Sequence, residues 1–147
     1  MAGFDIVDVL GAQHEQIRQL CAGIQRDGGA HKRRLFADLD RIVNLHELGD
    51  RRVVHPATRN ATTAGGEIGL ACMVEEGNIE RGLADLKILG VDHEAFDRTF
   101  AVLHKAILEH NAHEERDEFP LIRLYVRAER LHTMASEMHD IQIMGVG

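Results

Sequence analysis

Apolar residues recur along most of the chain with the step of an α-helix. Ile6, Leu10, His14, Ile17, Cys21 and Ile24 follow one another at intervals of three or four. They predict a first helix over about 5–26, stopped by Asp27-Gly28-Gly29. Leu35, Leu39, Ile42, His46, Asp50 and Val53 predict a second. It should end before Pro56, because the residue preceding a proline avoids the α region. Residues 57–66, rich in Thr and Gly, read as a polar loop. Cys72, Glu76, Ile79, Leu83 and Leu86 mark a third helix, closed near Gly90. Asp92 is the expected N-cap of a fourth, in which Phe96, Phe100, Leu103, Ile107, His110 and Glu114 keep the same step up to Pro120. A shorter fifth helix is expected over about 121–140, and the GVG end should fray. No stretch reads as a strand. The class is therefore all-α: an antiparallel up-down four-helix bundle with a short extra C-terminal helix, forming one domain over 1–147.

The apolar stripes are interrupted at matching depths. His14 breaks the first, His46 and Asp50 the second, Glu76 the third, His110 and Glu114 the fourth. An unpartnered imidazole or carboxylate in a core costs several kcal/mol by rough estimate, so six such residues need a common cause. A metal held in the bundle core supplies one, since a His and an acid at i and i+4 share a helical face. The second and fourth helices also repeat a pattern: HELGDRRVVHP from His46 to Pro56 and HNAHEERDEFP from His110 to Pro120 both read His-x3-acid-x5-Pro.

Composition agrees. The 10 His residues are well above ordinary usage and point to metal. A net charge of −7 argues against nucleic acid, which wants a basic face. No apolar run approaches the ~20 residues of a membrane span. The MAGFDIVDVLG start lacks the basic and apolar blocks of a signal peptide, so a cytoplasmic location is the default expectation. Cys21 and Cys72 are expected to be buried, reduced thiols.

These motifs resemble the hemerythrin-like (HHE cation-binding) family over nearly the whole chain. DIVDVLGAQHEQIRQL is similar to its first helix, which carries a ligand onto His14. LHELGDRRVVHP resembles its HE…E…vvHP helix, carrying ligands onto His46 and Asp50, with Asp replacing the usual bridging Glu. HNAHEERDEFPLIR resembles its H-x3-EE-x2-xFP helix, carrying ligands onto His110 and Glu114. The resemblance implies a four-helix bundle around two non-haem iron ions, bridged by an oxo or hydroxo group. It also implies binding, sensing or reduction of dioxygen and related small oxidants, or iron handling. The third helix departs from the family's E-E-H: the chain reads Glu75-Glu76-Gly77. Glu76 on the inward stripe is the substitute ligand, with Glu80 one turn beyond Gly77 as the second candidate.

The other candidates have plainer expectations. His93 lies 17 residues before His110, about 25 Å of helical rise, and reads as a surface residue in the first turn behind Asp92. His55 and His113 are candidates for hydrogen bonds around the site, His55 also for ligation. Glu115 is an alternative to Glu114. No spacing links Tyr125 to a metal. His31, His104, His132 and His139 should be solvated, and Glu15 and Glu47 should face solvent or pair with Arg.

Two carboxylates, Asp50 and Glu114, on different helices can bridge two ions about 3.5–4 Å apart. Imidazole with carboxylate suits iron, manganese or zinc, and the family favours iron. Three functions follow. One is a di-iron protein that binds or senses dioxygen, nitric oxide or peroxide. Another is a peroxide-consuming (catalase-like) or oxygen-reducing enzyme on the same site. The third is an iron-handling or partner-binding bundle with a degraded site. The pattern leaves metal identity, turnover and oligomeric state open.

Overall fold

The structure is a computed structural model and describes residues 4–146. Among these residues all regular structure is helical. Helix α1 (Ile6–Arg26) begins where Asp5 and Asp8 cap each other. The Asp8 N–H donates to the Asp5 carboxylate at 2.9 Å, and the Asp5 N–H to that of Asp8 at 3.1 Å. After a two-residue turn, α2 (Gly29–Gly49) runs beside it.

Pro56 does not end the second helix. Helix α2 passes through a π turn (Asp50–Val54), in which the His55 N–H donates to the Asp50 carbonyl five residues back, and continues as α3 (His55–Ala61). Pro56 thus falls in the first turn of a restarted helix, where a missing N–H and a rigid φ are tolerated. The fourth rod repeats this. Helix α5 (Phe96–His113) leads into a second π turn (Glu114–Glu118), whose Phe119 N–H reaches the Glu114 carbonyl, and then into α6 (Phe119–Tyr125) around Pro120. The His-x3-acid-x5-Pro repeat therefore marks two π turns, each opening on its acidic residue.

The loop expected over 57–66 is a one-residue break. Thr62 is extended, its hydroxyl accepts the Gly65 N–H at 3.0 Å, and α4 (Thr63–Leu89) starts at once. The sharp corner requires glycine at 65: a Cβ there would lie 1.9 Å from the Thr58 carbonyl oxygen. Gly65→Ala is accordingly expected to cost at least about 1–3 kcal/mol as α3 and α4 are forced apart. Chemical denaturation checks this, and an unchanged midpoint would contradict the packing. Helix α4 closes at Gly90, whose φ of +89° suits a residue without a side chain.

Asp92 is not an N-cap. Helix α5 begins after Ala95 without a side-chain cap, and Asp92 instead pairs with Arg33 at 3.1 Å. The last helix, α7 (Ala128–Val146), both starts and ends later than expected, because residues 119–125 belong to the fourth rod. It packs on α1 and α2. Helical structure continues through Gly145 to Val146, and Gly147, the last residue of the GVG end expected to fray, lies outside the described residues.

Two apolar clusters fill the bundle. One joins Ile17, Ile24, Leu39, Leu83, Phe100 and Ile107 at the α1–α2 and α4–α5 turn end. The other joins Ile6, Leu10, Val54, Ile122, Met134 and Met138 where α7 covers the opposite end. Each fully buried Leu, Ile or Phe contributes roughly 1.5–3 kcal/mol. The polar interruptions of the four stripes lie in the layer between. No described helix is long and apolar enough to cross a membrane.

Candidate metal centre

The four rods bring His14, His46, Asp50, Glu76, His110 and Glu114 together, all buried. Glu114 stands in the middle. Its Oε1 lies 3.1 Å from His14 Nε2, 3.6 Å from His46 Nε2 and 3.4 Å from His110 Nε2. His46 Nε2 is 3.3 Å from Asp50 Oδ2, and His110 Nε2 is 3.3 Å from Glu76 Oε2. Ligand atoms of His14, His46 and Glu114 lie within 4.8 Å of one another, as do those of Asp50, Glu76, His110 and Glu114. Two cation-sized groupings therefore share one carboxylate.

Each imidazole is held from behind. The Nδ1 of His14 lies 2.7 Å from Glu115 Oε2, that of His46 2.7 Å from Gln13 Oε1, and that of His110 2.7 Å from Glu75 Oε1. Fixing a proton on Nδ1 leaves the Nε2 lone pair facing the centre, as metal-binding histidines require. Gln13 is fixed in turn by Gln142 of α7, whose Nε2 also donates to the Leu45 carbonyl at 3.2 Å. The C-terminal helix thus reaches the back of His46 through two amides.

The centre is not satisfied by its own hydrogen bonds. Both oxygens of Asp50, Glu76 Oε1, Glu114 Oε2 and His110 Nε2 are buried without a partner. Native proteins rarely leave such atoms orphaned. Burial, then the charges of Glu114 and Glu76, pushes the Asp50 carboxyl well above its usual range. Burial would raise Glu114 too, but contacts with His14 and His46 hold it well below. For His110, burial works downward, yet Glu76 and Glu114 raise it to about 9.

The third rod turns its two candidate acids to different sides. Glu76 is buried on the inward face, whereas Glu80 is half-exposed and pairs with Arg51 at 2.5 Å. Gly77 does not look at the centre: a Cβ there would meet only the Arg81 side chain. Glu115 is exposed and meets the Nδ1 of His14, whereas Glu114 is buried among the inward nitrogens. Tyr125 is exposed on α6. His93 is exposed in the turn before α5, where its Nδ1 accepts the Ala95 N–H. His31, His132 and His139 are exposed, while His104 is half-buried against Phe100. Cys21 and Cys72 are buried and free.

Several groups departed from expectation or were missed. Glu15 pairs with Arg18, but Glu47 is buried with both oxygens unpartnered. Burial, then Glu76 and Glu80, pushes Glu47 up to about 10, so its proton replaces the solvent it was expected to face. His55, Thr58 and Glu118 form a buried chain: the Thr58 hydroxyl donates to Glu118 Oε2 at 2.6 Å, which lies 2.7 Å from His55 Nδ1. His55 Nε2 is 2.8 Å from Glu76 Oε2. Burial would lower the His55 pKa, yet Glu118 and Glu76 raise it to about 10. In an unbroken helix, nine residues at about 100° each set His55 opposite His46. The π turn gives back roughly 90° and brings it round. The only sequence sign of that turn was the proline that follows it.

These shifts fix the pH response of metal-free protein. His55 and His110 have folded values above 6.5, so their stabilisation is complete below 6.5 and is lost as pH rises through about 9–10. Glu47 is also raised, so stability falls as pH climbs from the ordinary 4.5 toward about 10. Both act in one direction. In the presence of chelator the denaturation midpoint should be lower at pH 9 than at pH 6, and a rising midpoint would contradict the assignment.

A model of the hemerythrin HHE cation-binding domain matches residues 5–122. Among solved structures, the crystal structure of a hemerythrin HHE cation-binding domain-containing protein from Mycobacterium kansasii superposes with a TM-score of 0.84 at 18% identity, covering 98% of this chain and 91% of that one. At that identity the likeness speaks for the fold. No curated protein matches the sequence. With most of its length matched by the family model, the chain belongs to the hemerythrin HHE cation-binding family.

Proposed function

We propose that the protein holds two iron ions between His14, His46, Asp50, Glu76, His110 and Glu114, and uses them to bind or sense dioxygen, nitric oxide or peroxide. The observation that carries this reading is the set of buried donor atoms without partners: Asp50 Oδ1 and Oδ2, Glu76 Oε1, Glu114 Oε2 and His110 Nε2. Their hard oxygen and imidazole character suits iron. His14 and His46 serve one ion, Glu76 and His110 the other, and Glu114 lies between. Asp50 bears on the second grouping and lies close to His46 of the first. Bound iron supplies an open coordination position and one-electron redox change. The chain supplies three imidazoles of fixed orientation and a dry surround, since no member of the six is more than 3% exposed. That enclosure favours a ligand of two non-hydrogen atoms over an organic substrate.

A second reading, a catalase-like or oxygen-reducing enzyme, is favoured by Glu76. A carboxylate where a family ligand is imidazole makes one iron harder and favours its ferric state. Anaerobic reduced, iron-loaded protein should change its absorption on mixing with dioxygen, nitric oxide or peroxide. Reversal on removing the ligand supports binding or sensing, and sustained evolution of oxygen from peroxide supports the enzyme. An unchanged spectrum with all three ligands overturns both.

A further inference from the structure

We infer that His55 is the fourth imidazole of the metal centre, serving the ion on the Glu76 side from the second rod. The inference rests on the metal reading above and extends its ligand set. That reading leaves the two positions unequal. His14 and His46 both face one grouping, while His110 alone faces the other, because the third rod contributes a carboxylate and no histidine.

His55 has every property the other three share. It is 1% exposed. Its Nδ1 is held at 2.7 Å by an acceptor, Glu118 Oε2, the same distance at which Glu115, Gln13 and Glu75 hold His14, His46 and His110. Its Nε2 faces inward. It meets Glu76 Oε2 at 2.8 Å, and His110 Nε2 approaches that same oxygen at 3.3 Å from another rod. Two imidazoles thus converge on one carboxylate oxygen whose sister atom, Glu76 Oε1, has no partner. Ligand atoms of His55, Glu114 and Glu118 also fall within 4.8 Å of one another, which ties His55 to the shared carboxylate.

Glu118 is too costly to be an accident. It is buried, its Oε1 has no partner, and its Oε2 takes both the Thr58 hydroxyl and the His55 ring. Thr58 is buried one turn below His55 on the same rod. The pair therefore fixes the ring's tilt and tautomer from two helices. The π turn after Asp50 swings His55 inward, and Glu118, one turn beyond Glu114 on the fourth rod, receives it.

The test loads the protein anaerobically with cobalt(II), used as the probe, and counts exchangeable, strongly shifted imidazole N–H resonances by proton NMR. Each bound histidine whose Nδ1 proton is hydrogen-bonded gives one. Wild type is expected to give four, and His55→Gln three. His55→Gln should weaken the second cobalt roughly 100-fold or more while the first stays tight. Glu118→Gln, which keeps an acceptor for Nδ1, should retain four resonances, whereas Glu118→Leu should blur or lose one. Four resonances in wild type support the inference even if a variant fails to fold. Three in wild type, or two cobalt ions bound with unchanged affinity by His55→Gln, overturn it while leaving the six-residue centre standing. No cobalt bound by wild type overturns both.

Discussion

Glu114→Gln is expected to remove both metals from a protein that still folds. Gln keeps the shape and one acceptor oxygen but carries no charge. Oε1 of Glu114 is the one carboxylate oxygen within 3.6 Å of three inward imidazole nitrogens, and ligand atoms of Glu114 belong to both cation-sized groupings. Losing an orienting group around a metal typically costs 10–100-fold in affinity, so losing a shared ligand should exceed roughly 100-fold at each position. Metal-free stability should fall. Burial opposes the Glu114 carboxylate, but contacts with His14 and His46 hold it well below its usual range, so the folded layer favours its charge. Relief of its repulsion on Asp50 offsets only part of the loss. Elemental analysis and circular dichroism together check this. Iron content falling from about two per chain to near zero with unchanged helicity is the expected result. Retention of one full equivalent would show that Glu114 is not shared.

Removing metal from the intact protein should lower its melting temperature markedly. Asp50, Glu47, Glu76, Glu114 and Glu118 are five carboxyl groups packed with four histidines in one buried layer. Without cations that layer depends on protons and orphaned atoms. A ligand at about 1,000 times its Kd adds about 4 kcal/mol to stability. For a chain of this size each kcal/mol moves Tm by roughly 2–4 °C. Scanning calorimetry with and without chelator should therefore show a drop of roughly 8–16 °C. The gap should widen with pH, because metal binding releases protons from these groups while the metal-free form loses stability. Equal melting temperatures would mean that the layer is satisfied without metal.

The helical stripes could be read because period 3.6 persists within each straight segment. Six polar interruptions stood out against them, and all six lie in one layer. What stayed hidden lies beyond the π turns. Pro56 read as a stop because a straight α-helix cannot accept it, and the widened turn before it left no mark in composition. The same shift set His55, named from the sequence as a candidate neighbour or ligand, off the His46 stripe of a straight-helix projection. Glu118, four residues after Glu114 on the same face, was passed over as one more acid in an acidic run. The 57–66 segment read as a loop because Thr and Gly are poor helix formers. Tertiary contact of Gly65 with Thr58 and the Thr62 cap override that weakness. Glu47 was assigned to solvent as an ordinary acidic neighbour of a ligand, and only the position of α4 decides that it is enclosed.

The most direct measurement of the central claim is an anomalous difference map, collected at the iron edge, from crystals of iron-loaded protein. Two peaks about 3.5–4 Å apart, flanking Glu114 within the layer of His14, His46, Asp50, Glu76 and His110, are the predicted result. Absence of a peak in that layer, or iron bound only at the surface, would contradict it.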